Sequence, residues 1–186
     1  MKIAITGTIG SGKTVVSDYL RSKGYDVFDC DRVNAWLLEE NRKGYKAVKK
    51  LFPECFNGNS LDKKVLAETV FSDPEKKKKL EDAMHPLILK ELKKRKDDPL
   101  FAEVPLLFEA GWDVYFDRNL LVVTDEKLLK ERMKERGFSV KQYQERLKTQ
   151  MPVEEKIKRA DKIIYNNGSL NDLYVMIDNW LKEVLC

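Results

Sequence analysis

Eight residues near the amino terminus carry the clearest chemical signature: Gly7-Thr8-Ile9-Gly10-Ser11-Gly12-Lys13-Thr14. The pattern is Gly-x-x-x-x-Gly-Lys-Thr. Its glycines permit positive-φ backbone that approaches a phosphate closely, and successive amides then form a concave anion site. A helix beginning near Gly12 adds its positive dipole end. Lys13 is then a point charge for the β- and γ-phosphates, and the Thr14 hydroxyl is a magnesium ligand. The predicted nucleotide contacts are Gly10, Ser11, Gly12, Lys13, Thr14 and Val15, with a nucleoside triphosphate as ligand. A chance glycine-rich turn is the plainer alternative; the filled positions and the strand and helix on either side argue against it.

A second group belongs beside that loop. Asp31 is expected just past the carboxyl end of a strand at Tyr25 to Asp29. In open parallel sheets ligands bind outside the carboxyl ends of the strands. A carboxylate there could orient an acceptor hydroxyl, accept its proton, or help hold magnesium. A helix N-cap is the plainer reading of Asp31, and equally of Asp29. Phosphoryl transfer also needs positive charge near the moving phosphate. Arg132 and Arg136 are four apart on one helix face, with Arg146 in the next helix. They form either a lid over the nucleotide or a charged surface paired with Glu131 and Glu135.

The elements that must position these residues follow from the apolar pattern. Lys2 to Thr6 is a short, nearly all-apolar run that suits a central parallel strand. Val15 with Tyr19, and Val16 with Leu20, share faces of the helix that follows, which Gly24 ends. Further strands are predicted at 101–108, 119–124 and 162–165, with Pro105 awkward inside the first of these. Between Arg32 and Asp98 no strand is expected. Helices fill that stretch, one of them possible from Ser60, and another opened by the Asp73-Pro74 cap and running toward His85-Pro86. The fold class is α/β: a five-stranded parallel sheet flanked by helices, with a helical insertion and a helical lid. The expected organisation is a core of 1–31 plus 99–186, with the lid at about 126–150, and an insertion at 32–98.

Composition narrows the function. The 186 residues suffice for one compact core with a small insertion, and no apolar run reaches membrane-spanning length. A net charge of +4 does not mark a nucleic-acid binder. The lysine runs 76–79 and 90–96 read as solvated helix faces, or as a landing surface for an anionic substrate. Cys30, Cys55 and Cys186 are far apart, which suggests neither disulfides nor zinc and favours a reducing, cytoplasmic setting. A guanine switch lacks its signals, because no Asn-Lys-x-Asp or Asp-x-x-Gly occurs. A motor ATPase usually needs a longer chain. A small-molecule kinase fits the length.

At this point the residues resemble one family, the dephospho-CoA kinases. The resemblance rests on the loop at 7–14, Asp29-Cys30-Asp31, His85-Pro86-Leu87-Ile88 and Val104-Pro105-Leu106-Leu107-Phe108-Glu109. Arg132 and Arg136, Gln150-Met151-Pro152, Ala160-Asp161 and Asn166-Asn167-Gly168 extend it along nearly the whole chain. It implies transfer of the ATP γ-phosphate to the ribose 3′-hydroxyl of dephospho-CoA, with magnesium, and an insertion that binds CoA. Asp31, with Lys13 and Arg136, matches the catalytic set. Arg132 and Asn166 match nucleotide contacts. Thr8, Asp31, His85, Leu106 and Glu109 are the implied substrate contacts. Thr8, Cys30 and Gly137 depart from residues more usual in the family. His85, the one histidine, reads from sequence alone as a structural hydrogen-bonding group. Val104 to Phe108 reads as core. No partner beyond the small-molecule substrate is expected: no nucleic acid, no membrane, and a monomer or weak oligomer. Another small-molecule or nucleotide kinase on the same core, or a non-catalytic P-loop nucleotide-binding protein, remains as an alternative.

Overall fold

A computed structural model describes residues 1–185; Cys186 lies outside the described residues. In chain order the elements are β1 (Lys2–Gly7), α1 (Lys13–Ser22), β2 (Val27–Asp29), α2 (Cys30–Leu37), α3 (Lys43–Leu51), β3 (Phe56–Asn57), β4 (Ser60–Leu61), α4 (Lys63–Phe71) and α5 (Pro74–Lys94). Then come β5 (Leu100–Glu103), β6 (Arg118–Val123), α6 (Glu126–Glu135), α7 (Val140–Lys148), α8 (Val153–Arg159), β7 (Lys162–Tyr165) and α9 (Leu170–Leu185). Two compact units result, Met1–Phe28 with Asp97–Cys186, and Asp29–Lys96.

The first unit is built on the five-stranded parallel sheet, in the order β2-β5-β1-β6-β7. Ile3 of β1 faces Phe101 on one side and Arg118 on the other, so β1 is the central strand. Its residues Ile3, Ala4 and Ile5 are fully buried, as a strand covered on both faces requires. Val16 and Leu20 of α1 join Leu173, Ile177 and Trp180 of α9 in the core. Tyr19 stacks on Tyr174 at 4.1 Å and donates its hydroxyl to Asp178 at 2.9 Å, which locks α1 to α9.

The third strand ends earlier than expected. The strand predicted at 101–108 ends at Glu103, and residues 104–111 turn instead. Pro105 cannot donate to a sheet ladder, so the apolar residues beyond it pack without pairing. Leu107 and Phe108 are buried all the same.

The second unit is mainly helical, but it contains the antiparallel hairpin β3–β4, which the sequence did not suggest. Gly58 at φ 61 makes its turn. Ser60 lies in β4, and Asp62 caps α4 by accepting from the amides of Lys64 and Val65. Asp73 caps α5 as expected, accepting from Glu75 and Lys76, with Pro74 at the first position. That helix does not stop at His85-Pro86 but continues to Lys94. Met84, Ile88 and Leu92 keep one buried face along it, and this packing outweighs the ring at Pro86. Tyr45 meets the Phe56 ring edge-on at 5.3 Å, which ties α3 to the hairpin. Among the described residues no helix is long and apolar enough to cross a membrane.

Candidate active site at the phosphate loop

Backbone conformation shapes the loop between β1 and α1. Gly10 and Gly12 have φ 82 and 101, which side-chain-bearing residues rarely adopt. A Cβ at Gly12 would collide with Asn166 Nδ2. The first amides of α1, including those of Thr14 and Val15, have no partner within the helix and sit at its positive end. Val15 itself packs its side chain against the core, so any nucleotide contact from it comes through the backbone.

Lys13 is buried, and its ammonium donates to the carbonyls of Gly7 and Thr8, both at 2.9 Å. Thr8 is buried too, and its carbonyl also accepts from Ser11 N. The loop is therefore curled around its own lysine. Beside it, Thr14 Oγ1 donates to Glu103 Oε1 at 3.0 Å. Glu103 is level with Ile5 of the central strand and only 7% exposed. Its Oε2 is buried without a hydrogen-bond partner among the described residues. A carboxylate thus ends β5, beside the loop. The signal was one acidic residue inside the apolar run Leu100 to Val104.

Two other predicted positions, Asn166 and Arg132, converge on the loop's far side. Asn166 Nδ2 donates to Ser11 O at 2.9 Å, and Thr124 Oγ1 donates to the same carbonyl at 3.0 Å. Arg132 then donates to Thr124 Oγ1 at 3.2 Å and to Asn166 O at 3.1 Å. Arg132, Asn166 and Ser11 therefore form one network, with Thr124 the member that sequence reasoning missed. Arg136 stands apart. It caps the end of α6, and its exposed side chain has no hydrogen bond or ion pair among the described residues. Arg146 stacks on Phe138 at 4.8 Å, so its guanidinium is occupied within the α6–α7 pair.

Leu106 is half-buried in the turn after β5, where its carbonyl accepts from Ala110 N. Glu109 has internal partners. Its Oε1 accepts from Met151 N at 2.8 Å and lies 2.8 Å from the ammonium of Lys156. Lys156 is fully buried, and its ammonium meets the carboxylate as an ion pair, off the line a hydrogen bond prefers. Nothing in the sequence singled out Lys156.

Asp31 and His85 belong to the second unit. Asp29 caps α2 by accepting from Arg32 N at 2.9 Å, and Asp31 sits inside the first turn of that helix. The capping duty is thus taken by Asp29, which leaves Asp31 without that plainer role. His85 lies in the interior of α5, and burial pushes its imidazole below the ordinary histidine value, against the carboxylates of Glu81 and Asp82. Among the described residues the buried thiols are Cys30 and Cys55.

The arrangement as a whole can bind a triphosphate at a helix N-terminus, offset its charge with Lys13, and present a hydroxyl and a carboxylate as hard oxygen donors. Comparison with known proteins agrees in fold and extends the identification. A shikimate kinase from Acinetobacter baumannii shares the fold, at TM-score 0.60 and 16% identity, over 98% of this chain and 93% of that one. A dephospho-CoA kinase from Campylobacter jejuni superposes at TM-score 0.72 and 28% identity, over 99% and 98%. A curated dephospho-CoA kinase from Thermus thermophilus is 44% identical over 188 residues, covering 98% of this chain and 89% of that protein. One from Fusobacterium nucleatum is 35% identical over 190 residues, covering 99% and 98%. Residues 1–172 match the family model described as dephospho-CoA kinase, and the chain belongs to the dephospho-CoA kinase family.

Proposed function

We propose that the chain transfers the γ-phosphate of ATP to the ribose 3′-hydroxyl of dephospho-CoA, giving coenzyme A. Family membership supplies the acceptor. The observation that carries the chemistry is the contact of Thr14 with the buried Glu103 carboxylate, next to Lys13, which equips the loop for transfer rather than for binding alone.

In this reading the α1 amides and Lys13 hold the β- and γ-phosphates, with the Lys13 ammonium exchanging its loop carbonyls for phosphate oxygens. The chemistry that magnesium would supply here is neutralisation of the phosphate charge. Thr14 Oγ1 and the Glu103 carboxylate are the residues that would hold it, directly or through water. Both are hard oxygen donors, and the orphaned Glu103 Oε2 fits the role. Asp31 is the base or orienter for the acceptor hydroxyl. Its support is that it follows β2 within two residues and is relieved of capping by Asp29. Arg132 holds the nucleotide side of the loop through Thr124 and Asn166. Helices α6 and α7 act as the lid, with Arg136 exposed at the end of α6 to meet the transferring phosphate. The unit Asp29–Lys96, which contains His85 and the lysine-rich α5, takes the CoA moiety. The reaction belongs in the cytoplasm, a setting that suits two buried thiols.

The direct test is purified protein with ATP, magnesium and dephospho-CoA, with CoA as the measured product. Formation of CoA with one ADP per acceptor is expected. Absence of CoA, with ATP turnover demanding another acceptor, overturns the proposal.

A further inference from the structure

The joint between α7 and α8, Gln150-Met151-Pro152, is gripped from two directions. On one side Ile9 N donates to Gln150 Oε1 at 3.1 Å, so a side chain at the end of α7 holds the main chain of the phosphate loop. On the other, Met151 N donates to Glu109, whose charge is matched by the buried Lys156 of α8. The Ile9 side chain also enters the small apolar cluster of Leu129, Met133 and Tyr143, which is the core of the α6–α7 pair. Next to this contact lies a cavity of about 770 Å³, lined by Thr8, Leu129, Tyr143, Leu147, Gln150 and Met151. The helix pair is therefore seated on the loop around an open volume, and the Gln150–Ile9 bond is a polar tie at its wall. Residue 9 is where such a tie matters. Gly10 follows it in a positive-φ conformation, and a chain pliable at residue 10 needs its preceding amide fixed to keep one shape.

We propose that Gln150 is a positioning residue for phosphoryl transfer: by holding the Ile9 amide it couples the phosphate loop to helices α6 and α7, so that nucleotide binding at the loop orders the helix pair. This rests on the reading that ATP binds at the loop. Gln150 touches neither reacting atoms nor phosphate in this role; it acts through Ile9. The Glu109–Lys156 pair fixes the other end of the joint, which gives Gln150 a firm base.

Two variants separate positioning from mere stability. Gln150→Leu keeps the size and removes the acceptor oxygen. Gln150→Glu keeps an acceptor oxygen and adds charge. For the Leu variant kcat falls at least about tenfold while the KM for ATP changes less than about threefold, because geometry rather than ground-state binding is lost. Its melting temperature stays near that of the wild type. The Glu variant recovers kcat at saturating ATP, with KM raised by the added charge near the phosphates. A Leu variant with wild-type kcat, or a Glu variant as slow as the Leu variant, overturns the proposal. Hydrogen exchange with and without ATP, in the absence of any acceptor, gives a second readout. In the wild type ATP slows exchange at both 8–12 and 126–149. In the Leu variant it slows exchange only at 8–12. Equal protection of 126–149 in both proteins, or none there in the wild type, also overturns the coupling. This measurement decides the matter even if dephospho-CoA proves not to be the acceptor, a failure that would show only as missing CoA.

Discussion

The loop edge of the sheet and the α6–α7 pair both carry dense charge, and they hold it in opposite ways. At the loop edge Lys13, Glu103 and Lys156 are buried, each against a definite partner. In the helix pair Lys130, Glu126 and Arg136 are exposed, and the apolar cluster beneath them has only three buried members. A buried charge makes its partner obligatory, because an uncompensated charge in low dielectric is costly. An exposed charge is screened and held loosely. The loop edge is thus built to keep one geometry. The helix pair rests on fewer buried groups, which suits the lid role proposed for it.

The comparison breaks most visibly at Lys13. Lys13→Ala removes the ammonium that the loop is folded around, and turnover is expected to fall about 10²- to 10³-fold, the size of effect seen when one preorganised electrostatic donor is lost. Steady-state kinetics with dephospho-CoA checks it; a loss under about fivefold contradicts a role in charge stabilisation. Lys156→Met tests the same region through stability. It leaves Glu109 without its counter-charge, and chemical denaturation should show a loss of about 3 kcal/mol. The Glu109 side chain is 16% exposed and regains some water, so the value lies at the lower end for a broken buried pair. A change under about 1 kcal/mol would put this pair with the surface pairs instead.

Glu103→Gln comes next. It keeps the shape and an acceptor for Thr14 but removes the charge. The magnesium concentration for half-maximal activity should rise about 10- to 100-fold, as when a group supporting a metal is lost. An unshifted magnesium dependence removes Glu103 from the metal shell. Arg136→Ala, on the helix-pair side of the comparison, should slow transfer about tenfold, with ATP affinity nearly unchanged, since its exposed side chain has no hydrogen bond or ion pair among the described residues to lose. Wild-type kcat in that variant leaves α6 with no part in the chemistry beyond Arg132.

The two regions also differed in how well the sequence foretold them. The loop was legible because its residues act through backbone conformation and fixed spacing, both of which a linear pattern encodes. The parallel sheet was legible for a similar reason: central strands covered on both faces leave unbroken apolar runs, as at Lys2 to Thr6. Glu103 was missed because the apolar run continues past it. Only the three-dimensional structure shows that pairing ends there, and that a carboxylate meets Thr14 from 89 positions away. Lys156 was invisible, since a lysine in a charged helix reads as solvated until a partner 47 residues earlier is seen to bury it. The hairpin at 56–61 escaped because two-residue strands carry too little alternation to register. Arg132, Asn166 and Ser11 were each named, yet their union through Thr124 is a long-range fact that spacing cannot contain.

The smallest effect is expected where the local chemistry looks strongest. Lys130 lies 2.6 Å from Glu126 across one turn of α6, and the hydrogen bond from Lys130 holds the Glu126 carboxyl below its ordinary value. Taken alone, a lowered carboxylate pKa means stability that is present above the ordinary glutamate range and lost as pH falls through the folded-state value. Here both groups face solvent, with side-chain exposures of 54% and 73%. Water and salt screen the pair, and holding two long side chains in one geometry costs entropy. Glu126→Gln should therefore leave the melting temperature unchanged at pH 7. Its melting temperature should also follow the wild type as pH falls toward 3, since the linkage from this one carboxylate is too small to separate the curves. Parallel curves support the view that the helix pair is held by its apolar cluster and by the Gln150 tie. A wild-type melting temperature that stands above the variant's at pH 7 and drops to meet it on acidification would mean that surface charge holds α6 in place. The contrast between a fixed loop edge and a loosely seated lid would then fail at its simplest point.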